Sequence, residues 1–424
     1  MSARSRALNI PEILDLIFDH FSITDEELLR PRPFKYPSST GIDPNSDNEI
    51  ELVGADGKDD RLFRESRSTL LAVALSCRRF KPPALRLLWR TMDSLDPLIS
   101  LLPLIVPAAR GRRSYLAAQI TPETWTRFQT YQNWIHALVF SRQNTRPMVS
   151  TRNGLVFTTL STMKRFLFPS LQILVIRALN YFTCLSTCSV IFTSPNLKYL
   201  VVGSVSSQPT FASFCALLHH TSQQPFHTVL INSNVHSTEL NLITSPALRV
   251  LQVGLGQDAS ALASLPHLRE LSLRLAGGVA VEALSLPSLK SLHLSGSMDS
   301  IIGFLTRCEC HLETISIKLP NDWHPPNSPG LAPNLIFTTI IAKWEASIRH
   351  IELDCASTKR PPGTSEVWDG FLDMIRPLRT IPLLTFRILN SPFRVRTRPR
   401  IQRTSFLRRK VSAASTPRCH CNPT

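Results

Sequence analysis

One string recurs too often in this chain to be accidental. Pro-x-Leu-x-x-Leu-x-(Leu/Ile/Val) occurs as Pro169-Leu171-Leu174-Ile176, Pro195-Leu197-Leu200-Val202, Pro246-Leu248-Leu251-Val253, Pro266-Leu268-Leu271-Leu273 and Pro287-Leu289-Leu292-Leu294. Leucine is abundant, yet chance supplies only on the order of 0.2 such matches in a chain this long. The last two apolar positions stand two apart, the period of a strand with one buried face. Such a chain stacks short units, because each unit can bury its apolar face only against its neighbours.

Without the proline, degenerate copies appear at Ile135-Leu138-Phe140, Phe226-Val229-Ile231, Leu312-Ile315-Ile317, Ile348-Ile351-Leu353 and Leu383-Phe386-Ile388. The first positions of successive copies lie 20 to 36 residues apart. Helical return segments are expected at Phe211 to His219, Asp258 to Leu265, Ser300 to Arg307, Leu335 to Trp344 and Glu366 to Ile375. The ladder resembles leucine-rich repeats of a degenerate kind, without the asparagine that regular versions place after the strand. The resemblance implies an α/β fold for residues 135–393: an irregular, curved solenoid of short parallel strands with helical returns, whose concave face binds proteins or peptides. Residues between the core positions face outward. Tyr199, Gln252, Glu270, Arg274, His293, Lys318, His350 and Glu352 are the candidate target-binding residues among them.

The first part of the chain has a different period. Pro11 stands at a first helical position after Asn9, and Ile13, Leu14, Ile17, Phe18 and Phe21 follow at helical spacing. Leu70, Val73, Ala74 and Cys77 predict a second helix over Ser68 to Phe80; Leu85, Leu88 and Trp89 predict a third after Pro82-Pro83. Between the first two lies Asp25 to Glu65, with 11 acids, six bases and no sustained period, which reads as loop or disorder. Three helices this short leave surplus apolar surface for a partner.

Leu8-Asn9-Ile10-Pro11-Glu12-Ile13-Leu14 with Ile17-Phe18 resembles the opening of an F-box, and Leu75-Ser76-Cys77-Arg78-Arg79-Phe80 with Leu85 to Trp89 resembles its second half. Fungal F-box domain-containing proteins join such a unit to degenerate leucine-rich repeats. The resemblance implies a three-helix unit over residues 1–96 that docks on the adaptor Skp1, and through it on a cullin-based ubiquitin ligase. Pro11, Ile13, Leu14, Ile17, Phe18, Cys77, Phe80 and Trp89 would be its adaptor-facing or core-setting residues. The acidic insert and Phe80, where the family often has tryptophan, depart from that pattern. Residues 97–134 read as a helical linker.

Charge and chemistry narrow the rest. The net charge is +16, but nine bases and no acid fall in residues 394–424, leaving +7 for everything before. This tail reads as basic and disordered. Gly254-Leu255-Gly256-Gln257-Asp258-Ala259 follows a predicted strand but lacks the third glycine and the following acid of a dinucleotide fingerprint. Cys308-Glu309-Cys310-His311, Cys184 with Cys188, and Cys419-His420-Cys421 look metal-like but read as buried or incidental thiols. The most apolar stretch, Leu95 to Ala109, is broken by Pro97, Pro103 and Pro107 and is too short to span a bilayer. The expectation is a non-enzymatic substrate receptor of a Skp1-cullin-F-box ligase, cytoplasmic or nuclear, with no cofactor and no membrane partner. The alternative is a repeat scaffold, or a nucleic-acid-associated protein using the basic tail.

Overall fold

The computed structural model describes residues 14, 16–18, 56–102, 104–105, 115–116, 120–140, 156, 160, 166–178, 194–204, 208–221, 225–256, 259–276, 283–319, 332–355 and 385–389. In chain order the strands are β1 (Thr91–Met92), β2 (Leu104–Ile105), β3 (Tyr115–Leu116), β4 (Ala137–Phe140), β5 (Ile173–Ala178), β6 (Tyr199–Ser204), β7 (Thr228–Val235) and β8 (Val250–Leu255). They continue as β9 (Glu270–Leu275), β10 (Leu284–Ser285), β11 (Ser291–Gly296), β12 (Cys308–Glu309), β13 (Thr314–Leu319), β14 (His350–Cys355) and β15 (Thr385–Leu389). β2 and β3 form an antiparallel ribbon, and β10 and β12 a short parallel one. The others make one 11-stranded sheet in chain order, parallel throughout. The chain is therefore mixed α/β, dominated by a large parallel sheet.

Register follows the repeat. Leu138, Leu174, Leu200, Val229, Leu251, Leu271, Leu292, Ile315, Ile351 and Phe386 stand in one row across the sheet, each supplied by a different copy of the string. A second row runs through Phe140, Ile176, Val202 and Ile231, then through Val253, Leu273, Leu294, Ile317, Leu353 and Ile388. From Leu138 to Leu353 none of these side chains is more than 4% exposed. At about 1.5–3 kcal/mol for each large apolar side chain buried, the two rows are the main reason the sheet holds.

Parallel neighbours need a crossover between them. The helices are α1 (Asp56–Ser76), α2 (Lys81–Arg90), α3 (Asp96–Ile99), α4 (Pro122–Trp134), α5 (Gln208–Thr221), α6 (Ser237–Ile243), α7 (Met298–Arg307) and α8 (Ala332–Trp344). Phe211, Phe214 and Leu218 of α5, Leu240 and Ile243 of α6, Ile301, Phe304 and Leu305 of α7, and Ile336, Ile340 and Trp344 of α8 share one core with the inward rows. The described returns thus cover a single face. Their form follows their length: the short link between β8 and β9 holds only a 3-10 turn, Ser260–Ser264, whereas α5 has 14 residues and α8 has 13. A 3-10 turn rises more per residue, so fewer residues span the same strand. α6 falls outside the expected return segments; there the carboxylate of buried Glu239 accepts the His236 N–H at 3.1 Å. The Glu366 to Ile375 segment lies outside the described residues.

α1 begins at Asp56, inside the stretch expected as loop. Asp56, Asp59 and Asp60 put acids at its start, where the helix dipole favours them. α2 starts with Lys81-Pro82-Pro83, so the prolines open the helix rather than interrupt the chain before it. Between 97 and 134 the described residues hold the end of α3, the β2–β3 ribbon and α4. Pro11, Ile13, residues 19–55 and the tail lie outside the described residues.

Where the chain enters each strand, the backbone makes a second ladder. The N–H of His136 donates to the Arg90 carbonyl at 2.8 Å, and Gln172, Lys198, His227, Arg249, Arg269, Lys290, Glu313 and Arg349 each donate to the preceding member at 2.8 to 3.0 Å. These residues form a continuous rail along one end of the sheet, one per strand. At the turn before β6, Ser194 Oγ donates to the Leu171 carbonyl at 2.8 Å and Asn196 Nδ2 to the Pro169 carbonyl at 2.8 Å, stitching adjacent copies together.

Candidate functional site

Two surfaces follow from this frame, one on the N-terminal helices and one on the open face of the sheet. In the helices, Leu14 and Phe18 are buried with Leu70 and Ala74 of α1 and Ala84 of α2, and Val73, Phe80, Leu87 and Leu88 pack around them. The Phe18 ring meets Phe80 edge-on, with centroids 6.0 Å apart. Leu14 and Phe18 therefore set a core rather than present a surface. Among the described residues the exposed large apolar side chains are Leu16 at 67%, Ile17 at 39%, Leu71 at 46% and Leu75 at 77%. Periodicity selected a stripe that is buried at Leu14, Phe18, Leu70 and Ala74 but exposed at Ile17, and passed over Leu16, Leu71 and Leu75. Cys77 is half-buried, and its carbonyl accepts the Phe80 and Lys81 N–H groups in the turn between α1 and α2.

Trp89 points elsewhere. Its ring lies 4.5 Å from that of Tyr131 in α4, and it packs against the core of the sheet. Its role is to join the helices to the sheet, together with Arg67, whose guanidinium donates to Asp93 at 3.0 Å just beyond β1. Thr121 caps α4 by accepting the Thr124 N–H at 3.2 Å. At this junction lies a cleft of about 510 Å³ between α2 and the end of α4, lined among others by Arg86, Arg90, Trp134, His136 and Ser170. Nearby in α4, Gln132 is fully buried with neither amide atom hydrogen-bonded.

The open face of the sheet changes character along its length. In β4 and β5, Ala137, Val139, Ile173 and Val175 are buried on this face as well, with Tyr199 and Val201 of β6 beside them. Strands buried on both sides read as unbroken apolar runs, as Ala137–Phe140 does, and those buried on one side alternate, as Glu270–Leu275 and Thr314–Leu319 do. Tyr199 accordingly sits half-buried in apolar surroundings and meets the His227 ring edge-on at 6.3 Å. Gln252 is not solvated as expected: it is 3% exposed, and its Nε2 donates to Asn232 Oδ1 at 2.7 Å.

A bulge explains Gln252. Between Leu230 and Asn234, β7 carries two residues more than β8 does, which brings Asn232 and Asn234 over the face. Arg274 donates to Asn234 Oδ1 at 3.0 Å. A Cβ on Gly254 would lie 2.9 Å from the Ser233 carbonyl oxygen and closer still to the Asn234 side chain. Gly254 is there because the bulged backbone presses against it, which gives that glycine a packing reason in place of a nucleotide.

Beyond the bulge the face is polar. Glu270 and His293 are exposed, and Lys318, His350 and Glu352 are half-buried. Ser291 Oγ lies 3.3 Å from His293 Nε2, Ser316 Oγ lies 3.5 Å from Glu352 Oε1, and His350 Nε2 lies 3.7 Å from Glu352 Oε2. Crowding by the flanking strands lowers the His293 pKa, opposed by the carboxylates of Glu352 and Glu270. Desolvation likewise lowers Lys318, opposed by Asp354. The strip offers hydrogen-bonding groups of both signs in a row across the strands.

The thiols separate by environment. Cys215 is buried, and desolvation with the Glu239 carboxylate pushes its thiol far up. Cys308 and Cys310 bring their sulfurs to 3.5 Å; the Cys310 thiol and the Lys343 ammonium lower Cys308, while Cys310 is raised. Cys184, Cys188, Cys419 and Cys421 lie outside the described residues. Among the described residues no group of three His, Cys, Asp or Glu is placed to hold a metal ion, and no helix is long and apolar enough to cross a membrane. No protein-family model matches the chain, and no curated protein matches it either.

Proposed function

We propose that the chain is the substrate-recognition subunit of a Skp1-cullin-F-box ubiquitin ligase, its N-terminal helices acting as an F-box and its sheet and returns as a leucine-rich-repeat-like solenoid that holds a protein target. The observation that carries this reading is the division of labour in the helices. Leu14 and Phe18 close a small core, while Leu16, Ile17, Leu71 and Leu75 stay exposed around it. Exposed leucines grouped on a small helical unit suit a partner helix. The F-box-like residues quoted above name Skp1 as that partner, and a cytoplasmic or nuclear setting goes with it. The mechanism is proximity: one end holds the adaptor, the other raises the effective concentration of a target at the ligase.

The test uses exposed positions, so that loss of binding is not loss of folding. Leu16→Asp with Leu75→Asp abolishes co-purification with Skp1 and leaves the circular dichroism and melting profile of the chain intact. Undiminished capture of Skp1 by that folded variant rules the reading out.

A further inference from the structure

The rail at the strand entrances is mostly cationic. Arg90, Lys198, Arg249, Arg269, Lys290 and Arg349 occupy six of its ten positions, and each sits beside its neighbours through the backbone bonds already described. Arg249, Arg269, Lys290 and Arg349 are exposed. The crowding is electrostatic as well as geometric, since Lys198 and Arg249 both act on the His227 ring between them. Like charges placed side by side across strands oppose folding. The one acid in the row, Glu313, is bracketed: Lys290 Nζ meets its carboxylate at 2.8 Å and Arg349 also acts on it. At its other end the row runs through His136 and Arg90 into the junction cleft, which Arg86 and Trp134 also line.

We propose that this rail and the cleft at its end bind an extended acidic segment of a partner protein. With neighbouring strands about 4.8 Å apart, the nine steps from Arg90 to Arg349 cover about 43 Å, the reach of about 13 extended residues. Carboxylates along such a segment meet the arginines singly or in bidentate pairs, and the cleft takes its end. A peptide fits better than a nucleic acid because the cations form a single row bordered by acids. Glu270 adjoins Arg269 in sequence, and Glu313 lies within the row. A uniformly charged phosphate backbone meets those acids with repulsion, whereas a peptide of spaced carboxylates passes between them. This gives the proposed receptor a chemical class of target, but the binding itself does not depend on the adaptor.

The test is fluorescence anisotropy on the full chain with a fluorescein-labelled peptide of alternating Glu and Ser, about 13 residues long to match the rail. A single-stranded oligonucleotide of equal charge is measured in parallel. The expected result is saturable peptide binding that weakens at least about tenfold in Arg249→Glu with Arg269→Glu, and several-fold in the gentler Arg249→Gln with Arg269→Gln. Leu16→Asp with Leu75→Asp leaves peptide binding unchanged, which separates this proposal from adaptor docking. Absence of saturable binding overturns it. So does peptide binding that the folded rail variants leave intact, which assigns the affinity to another basic region such as residues 394–424. Tighter binding of the oligonucleotide with the same sensitivity to the rail variants assigns the surface to nucleic acid instead.

Discussion

Trp89 of α2 and Tyr131 of α4 lie against each other, ring centroids 4.5 Å apart and planes inclined by 31°. This contact fixes how the N-terminal helices sit on the sheet. Trp89→Ala is expected to cost about 2 kcal/mol in urea unfolding, and a double-mutant cycle with Tyr131→Ala should return a coupling of about 0.5–1.5 kcal/mol. Additive single effects would show that the rings do not interact.

Buried and exposed apolar positions in the helices should behave in opposite ways. Phe18, at 2% exposure, is expected to cost about 3 kcal/mol on truncation to Ala, which loosens the helical unit. Leu75→Ala, at an exposed position, should stay within about 0.5 kcal/mol of the parent. Amide hydrogen exchange over residues 65–90 reads both.

Gln132 gives a stabilising prediction. A buried amide with no partner costs free energy that a similarly sized apolar side chain does not. Gln132→Met should therefore raise stability by about 1–2 kcal/mol, read as a higher urea midpoint at constant slope. A lower midpoint would mean that the amide is satisfied in solution.

The two neighbouring glycines should diverge. Gly254→Ala forces a Cβ into the β7 bulge and is expected to destabilise by about 1–3 kcal/mol. Nothing lies within 4 Å of a Cβ on Gly256, so Gly256→Ala should be near neutral. Equal melting temperatures for the two variants would remove the bulge as the reason for Gly254.

His227 and His293 both have lowered pKa values. For His227 desolvation leads and the Arg249 and Lys198 cations add to it; for His293 desolvation outweighs the opposing Glu352 and Glu270. A depressed histidine takes up its proton more readily when unfolded, so the unfolded state gains relative to the folded one as pH falls below the usual histidine value. Stability should decline from about pH 7.5 to about pH 5.5, and His227→Gln with His293→Gln should flatten that slope. An unchanged slope would locate the pH dependence in other groups.

Much of the sheet was legible because its code is local. In each copy of the string the fifth and seventh positions after the proline are apolar and point to one side, and in the Pro266 and Pro287 copies the residues between and before them are polar, so period-two burial follows from strand geometry. Return segments could be placed for the same reason, since a parallel neighbour demands a crossover. The rail was also written in the string, as the residue after its first leucine: Gln172, Lys198, Arg249, Arg269 and Lys290 in the five strict copies. Net charge hid it, because the sum over the chain weights the tail and says nothing about alignment.

The amino-acid order by itself determined a repeating unit, its in-and-out pattern and a helical N-terminal region with apolar surface to spare. What faces what was decided by packing at a distance. The extra residues in β7 are invisible until β8 is laid beside them, and only then does Gln252 become a buried partner of Asn232. Trp89 turns to Tyr131 because α4, more than thirty residues later, supplies the ring. The two-sided burial of β4 and β5 and the exposure of Leu75 are likewise sums of many contacts. Local spacing sets which side chains share a strand or helix face; tertiary packing sets which of those faces water still reaches.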